Sequence, residues 1–255
     1  QRGLPLHATY LFKHALIQDT AYHSLLKSTR QQYHQRIAQV LEERFRETKE
    51  TQPELLAHHY TEASLIAQAL PYWQKAGERA PQRSANIEAI AHLTKGLELL
   101  QLLPDTPERT QQELGLQLAL GGPLTVTKGY AAQEVERVYT RALELCRQLG
   151  ETPLLFWALV GLQLVYLVRA ELKTARELAE QLLSLAQNVH NPVFLVLAHT
   201  ILGNTLCQLG EFAQARGHLE EGIALYDSQK DNLLVFGYSQ NPKVTCLCHG
   251  AFALW

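Results

Sequence analysis

The stretch "LGEFAQARGHLEEGIALYD", Leu209–Asp227, decides how the rest of the chain is read. It has a glycine, an aromatic two residues later, an alanine three after that, and then apolar residues at helical spacing. Forty residues earlier runs "RAELKTARELAEQLLSLAQ", Arg169–Gln187. Under that shift Glu171 matches Glu211, Ala175 matches Ala215, Arg176 matches Arg216, Glu180 matches Glu220 and Leu185 matches Leu225. The segments before them align as well, Leu162 over Leu202 and Tyr166 over Leu206. Two helices and a tight turn, repeated at fixed spacing, are the signature of a helical solenoid.

Working outward, helix follows helix. Pro107, Pro153, Pro192 and Pro242 each follow a residue that can cap a helix (Thr106, Thr152, Asn191, Asn241), in a first turn that tolerates a missing N–H. The spacing predicts helices at 14–26, 27–46, 53–63, 66–82, 86–103, 107–121, 132–149, 153–168, 171–188, 192–209, 212–228 and from 243 onward. In 27–46, Tyr33, Ile37, Val40, Leu41 and Phe45 make one apolar stripe opposite Arg30, Arg36, Glu42, Glu43 and Arg46. Strand signals are confined to "TYLF" (Thr9–Phe12) and, more weakly, "LTVT" (Leu124–Thr127).

These units resemble the tetratricopeptide repeat. Leu202-Gly203 supplies the leucine–small pair of a first helix and Gly210 the turn; Phe212, Ala215, Leu219 and Gly222 fall at packing positions of the second. An earlier unit fits with Ala57, Tyr60, Ile66, Ala69, Trp73 and Ala76. Residues 107–149 form a looser pair around the insertion "GGPLTVTKGYAA", with Tyr139 and Ala142 at packing positions. Leu247 and Ala251 suit a first helix whose partner is missing. The resemblance implies an all-α, right-handed superhelical solenoid of about 12 helices. Its spacing is longer than the family's roughly 34 residues.

A second resemblance sits at the front. "YLFKHALIQDTAYHSLLKSTRQQYHQRIAQVLE" (Tyr10–Glu42), continued by "QPELLAHHYTEA" and "YWQKAGERA", is similar to the junction after the winged-helix part of large bacterial signalling ATPases. In these, a class III cyclase or a kinase domain precedes a P-loop ATPase and a repeat tail. The resemblance implies a junction at residues 1–46 and repeats at 47–255, the last one truncated. The ATPase motifs would lie upstream of Gln1. The lack of any methionine agrees with an excised piece of a longer chain.

Composition narrows the class. The chain has 255 residues, 46% hydrophobic and 19% charged, with a net charge of −2, so no bulk electrostatic pull draws it to nucleic acid or an anionic membrane. No apolar run reaches the roughly 18 residues that span a bilayer. Cys146, Cys207, Cys246 and Cys248 lie in helical patterns, as reduced thiols of a cytoplasmic protein would.

Catalytic signatures are missing. "GGPLTVTKGY" puts Lys128 before Gly129 and lacks the hydroxyl that closes a phosphate loop. Cys246, Cys248 and His249 have no second cluster to complete a structural zinc site. His58 and His59, near Glu54 and Glu62, read as a solvated helix surface, and Lys27, Arg30, His34 and Arg36 as a charged face. No nucleophile elbow is present. The expectation is therefore no catalysis, no cofactor and no metal.

What remains is binding. The tetratricopeptide resemblance implies a concave groove lined by first helices. One set of groove positions contains Leu197, Thr200, Asn204, Cys207 and Gln208; the other contains Trp157, Val160, Leu164, Leu167 and Val168. The expected contacts are Thr200, Asn204 and Gln208 as polar partners and Trp157 and Leu164 as apolar floor. The partner would be a protein or peptide, including the upstream ATPase domain of the same chain. A sensor or relay arm of a cyclase-type ATPase, a free-standing scaffold, and the repeat arm of an ATPase-type transcriptional activator all fit.

Overall fold

The computed structural model describes residues 15–150, 153–226 and 241–253. Among these residues there are thirteen α-helices, one short 3-10 turn (Ala80–Arg83) and no strand. The helices are α1 (Ala15–Ser24), α2 (Lys27–Arg44), α3 (Arg46–Thr51), α4 (Pro53–Glu62), α5 (Ile66–Arg79), α6 (Asn86–Leu100) and α7 (Pro107–Lys128). They continue with α8 (Gln133–Leu149), α9 (Leu154–Val168), α10 (Leu172–Val189), α11 (Pro192–Gln208), α12 (Phe212–Leu225) and α13 (Pro242–Ala253). The chain divides into two compact units, one up to Ala76 and one from Gly77 onward.

The expected ends hold where caps are visible. Thr106 accepts the Arg109 N–H at 3.3 Å, Asn191 the Val193 N–H at 3.0 Å and Asn241 the Lys243 N–H at 3.0 Å. Each pairs a first-turn donor that the helix itself leaves unsatisfied. Thr152 lies outside the described residues, as do Thr9–Phe12.

Leu124–Thr127 is not a strand, and "GGPLTVTKGYAA" is not an inter-helix insertion over its first eight residues. The helix runs on because its apolar face runs on: Leu116, Leu120 and Leu124 are all buried at i, i+4 spacing. Thr125 and Thr127 turn their hydroxyls onto the carbonyls of Gly121 (2.8 Å) and Pro123 (2.9 Å). Gly129 ends the helix at φ +88°.

In the first unit, α2 packs on α4 and α5 through Ala38, Leu56, Ala57, Tyr60, Ala69 and Tyr72. Glu42 is the polar centre. Its carboxylate accepts the Tyr60 hydroxyl at 2.5 Å and the Tyr72 hydroxyl, with Lys49 Nζ at 3.4 Å. The two phenol bonds, Tyr60 first, hold the Glu42 carboxyl below its ordinary range. Trp73 Nε1 donates to Thr61 Oγ1 at 3.0 Å, joining α5 to α4. Of the stripe expected on α2, Leu41 packs half-buried against the core, but the rest is not the core face. Tyr33, Ile37, Val40 and Phe45 are exposed, whereas His34 and Ala38 are buried. The small Ala38 allows close approach to α4, which a face of large side chains would prevent.

Helices pair through one recurring corner. Ser64, Ser84, Ala170 and Gly210 all adopt the left-handed conformation, φ 58°, 60°, 60° and 78°. In each case the next residue donates to the carbonyl five back: Leu65 to Tyr60, Ala85 to Ala80, Glu171 to Tyr166 and Glu211 to Leu206, at 2.9–3.0 Å. This is the Schellman arrangement, which pairs the last carbonyls of a helix. The corner predicted at Gly210 is therefore built, and three L-residues build it too.

Seven residues before the corner and nine after it, the two helices of a pair meet. A Cβ on Gly203 would lie 2.6 Å from Leu219 Cγ, and one on Gly77 would lie 2.3 Å from Leu93 Cγ. The equivalent positions in α9 and α10 are Gln163 and Ala179, both buried. There the sizes are exchanged: large on the first helix, small on the second. Gln163 Nε2 donates onward to Thr205 Oγ1 at 2.9 Å, linking α9 to α11.

Candidate functional site

Within the second unit, a cavity of about 420 Å³ opens between the C-terminal half of α7, the start of α8 and one face of α9. Trp157, Val160 and Leu164 form its apolar wall at i, i+3/i+4 spacing on α9. Opposite stand Leu118, Pro123 and Val126 of α7. Val160 is buried, while Val126 is 71% exposed, so the cavity has a closed floor and an open rim.

Tyr139 of α8 shapes it from below. Its ring fills the room left by two glycines on neighbouring helices: a Cβ on Gly121 would come 2.4 Å from the phenol, and one on Gly161 2.3 Å. Burial pushes the Tyr139 hydroxyl up to about 12, so it stays a neutral donor and acceptor. Pro123 adds a second polar feature. Having no N–H, it cannot pair the Ala119 carbonyl four residues back, and both residues line the cavity.

Trp157 is also part of the core. It meets Phe156 and Phe194 edge-on, with ring centroids 5.9 and 6.1 Å away, and those two rings stack at 4.1 Å. This contact fixes the indole, so one face of α9 is anchored while Leu164 remains half-buried at the cavity.

Leu167 and Val168, at the end of α9, lie outside this lining, as do the remaining expected positions, which fall on α11. Thr200 is fully buried, with its hydroxyl donating to the Val196 carbonyl at 2.7 Å and lying 3.2 Å from Cys246 Sγ. Helix α13 covers that face, and Cys207 Sγ reaches the His249 carbonyl at 3.7 Å. A face read as groove lining is here a helix–helix contact, because the next first helix stacks on it. Asn204 is half-buried and its Oδ1 has no hydrogen-bond partner. Gln208, one turn later, is exposed.

The contribution of α7 to the cavity escapes a reading that ends the helix at Gly121. The signal that finds it is the continued Leu116–Leu120–Leu124 spacing, which outweighs the Gly-Gly-Pro interruption. All four cysteines are free thiols. No helix among the described residues is long and apolar enough to cross a membrane.

No known family model matches the chain. It is 26% identical over 261 residues to an uncharacterized protein of Rhizobium meliloti (strain 1021), across 99% of this chain and 24% of the relative. The chain thus spans about a quarter of the length of the curated relative it matches. Among solved structures it is similar to the Rap protein, described as complexed with Competence and Sporulation Factor. The TM-score is 0.55 at 12% identity, over 93% of this chain and 76% of that one. The fold is an all-helical, tetratricopeptide-like repeat.

Proposed function

We propose that the chain is a non-catalytic, protein- or peptide-binding repeat region that serves as the sensor or relay arm of a larger cytoplasmic signalling ATPase. The observation that carries the binding role is the cavity walled by Trp157, Val160 and Leu164 on a first helix of the repeat stack. An apolar side chain of an extended partner enters it, and the partner backbone finds an acceptor at the Ala119 carbonyl and a hydroxyl at Tyr139. Asn204 and Gln208 supply polar contacts at i, i+4 spacing further along the stack. Thr200, with its hydroxyl already engaged, acts only in packing.

The ATPase parent, of the cyclase- or kinase-linked type, rests on the sequence resemblance at Tyr10–Glu42. It is compatible with a relative about four times as long as the chain. The test is a displayed random-peptide library selected against the chain, followed by calorimetric titration of the selected peptides. Leu164→Glu is expected to weaken them at least tenfold while circular dichroism stays unchanged. Asn204→Ala with Gln208→Ala is expected to cost about 1–3 kcal/mol. Selected peptides indifferent to all three changes would remove this site, and ATP turnover by the purified chain would overturn the non-catalytic reading.

A further inference from the structure

The first unit carries a cluster that the binding role does not use. His34 on α2 and the neighbouring His58 and His59 on α4 bring one ring nitrogen each to within 4.8 Å of one another. We infer that these three histidines form a binding site for a divalent transition-metal ion of borderline softness, zinc foremost.

Geometry carries the inference. A tetrahedral zinc ion holds imidazole nitrogens at about 2.0–2.1 Å, which places them about 3.4 Å from each other. Here His34 Nδ1 and His59 Nδ1 are 2.8 Å apart, and the widest separation in the cluster is within 4.8 Å. Side-chain rotations of about an ångström or less per ring bring all three into range without moving either helix. Three donors from two helices converge in this way although His34 and His58 are far apart in sequence.

The surroundings are those of a ligand set. Tyr22 Oη lies 2.9 Å from His34 Nε2. If Nε2 carries the proton and donates to the phenol, the Nδ1 lone pair faces the cluster. A metal-bound histidine characteristically has its second nitrogen held in this way. His59 Nδ1–H then donates to His34 Nδ1. Metal binding exchanges that bond for two metal–nitrogen bonds, the His59 proton moving to its own Nε2 with no net proton lost. Glu62, one turn beyond His58, lines the same cleft and offers carboxylate charge for the fourth position.

Imidazole donors select zinc and its neighbours over magnesium and calcium, which demand oxygen. Entry is open. The cluster lies along a cleft of about 1110 Å³ walled by Tyr33, Ile37 and Val40, and His58 is exposed. The apolar stripe of α2 is thus the wall of the ion's approach.

The experiment uses the whole 255-residue chain, freed of metal with EDTA and dialysed. Zinc ion is titrated calorimetrically, and cobalt(II) is titrated by its visible ligand-field absorption. One equivalent is expected, with a cobalt spectrum of low coordination number. His58→Ala and His34→Gln should each weaken zinc at least tenfold. Tyr22→Phe, which only removes the group orienting His34, should weaken it by a smaller factor. Cys248→Ser and His218→Gln, changing soft donors elsewhere, should leave stoichiometry and affinity unchanged. If His34→Gln fails to fold, His58→Ala decides, since that side chain is exposed. Absence of saturable binding would make the cluster a hydrogen-bonded one only and overturn the site. Binding unchanged by both His58→Ala and His34→Gln would do the same. Neither outcome bears on the peptide cavity, which lies in the other unit.

Discussion

Ala170 and Gly210 occupy the same corner in consecutive repeats, yet only one is a glycine. Both are left-handed, and their backbone bonds are closely alike: Ala170 N–H to Leu167 O and Gly210 N–H to Cys207 O, each at 3.0 Å. An L-residue in this region costs about 1–2 kcal/mol. Glycine avoids that cost but gains about 0.4–1 kcal/mol more unfolded-state entropy to lose. Ala170→Gly should therefore stabilise its repeat by about 0.5–1 kcal/mol, the difference of those two effects. Gly210→Ala should destabilise its own by a similar amount. No atom lies within 4 Å of a Cβ built on Gly210, so no clash confuses the second figure. Native-state hydrogen exchange at the Glu171 and Glu211 amides, which close the two corners, reads each effect locally. Ala170→Gly should slow exchange at Glu171, and Gly210→Ala should speed it at Glu211. A destabilising Ala170→Gly, or a Gly210→Ala without effect, would refute the view that backbone conformation limits these corners.

Two further outcomes are expected. Gly203→Ala should cost about 1–3 kcal/mol by overpacking, because its new methyl would stand 2.6 Å from Leu219 Cγ. Adding Leu219→Ala should return part of that loss in urea melts, and a purely additive double mutant would argue against direct contact. His199 and His218 meet through their Nδ1 atoms at 3.1 Å, and burial lowers the pKa of both below the ordinary 6.5. The unfolded chain then binds more protons, so this stability is present in full above about pH 6.5 and is lost as pH falls through the folded values. His218→Gln should flatten that acid limb in melts recorded from neutral to acidic pH; an unchanged slope would rule the pair out as its source.

The repeat was legible because its register is covalent. Ala175 and Ala215, the starts at Pro107, Pro192 and Pro242 and the Gly210 corner are all set by local spacing, and each appears where expected. The misreadings concern which neighbour covers a face. Helix periodicity gives α2 an apolar stripe but not the direction it points, and the tight α2–α4 crossing at Ala38 turns it outward. Thr200 looks like groove lining until α13 is stacked on α11. Pro123 argues locally for a break, yet the buried leucines on either side hold the helix together. The histidine cluster is the least legible of all, since His34 reaches His58 and His59 only through tertiary packing.

The exchange of sizes between Gly203–Leu219 and Gln163–Ala179 has a consequence for assembly. If α11 took the place of α9 at the crossing with α10, glycine would face alanine and leave a hole; if α9 took the place of α11 against α12, glutamine would face leucine and collide. Each first helix is therefore keyed to its own second helix, although the two pairs are built on one pattern. Chains of near-identical repeats invite mispairing between neighbours as they fold, and complementary bulk at a single buried crossing penalises the wrong partner in either direction. Divergence after duplication has thus given this array an addressing scheme, in which a repeat can be replaced only together with the helix that matches it.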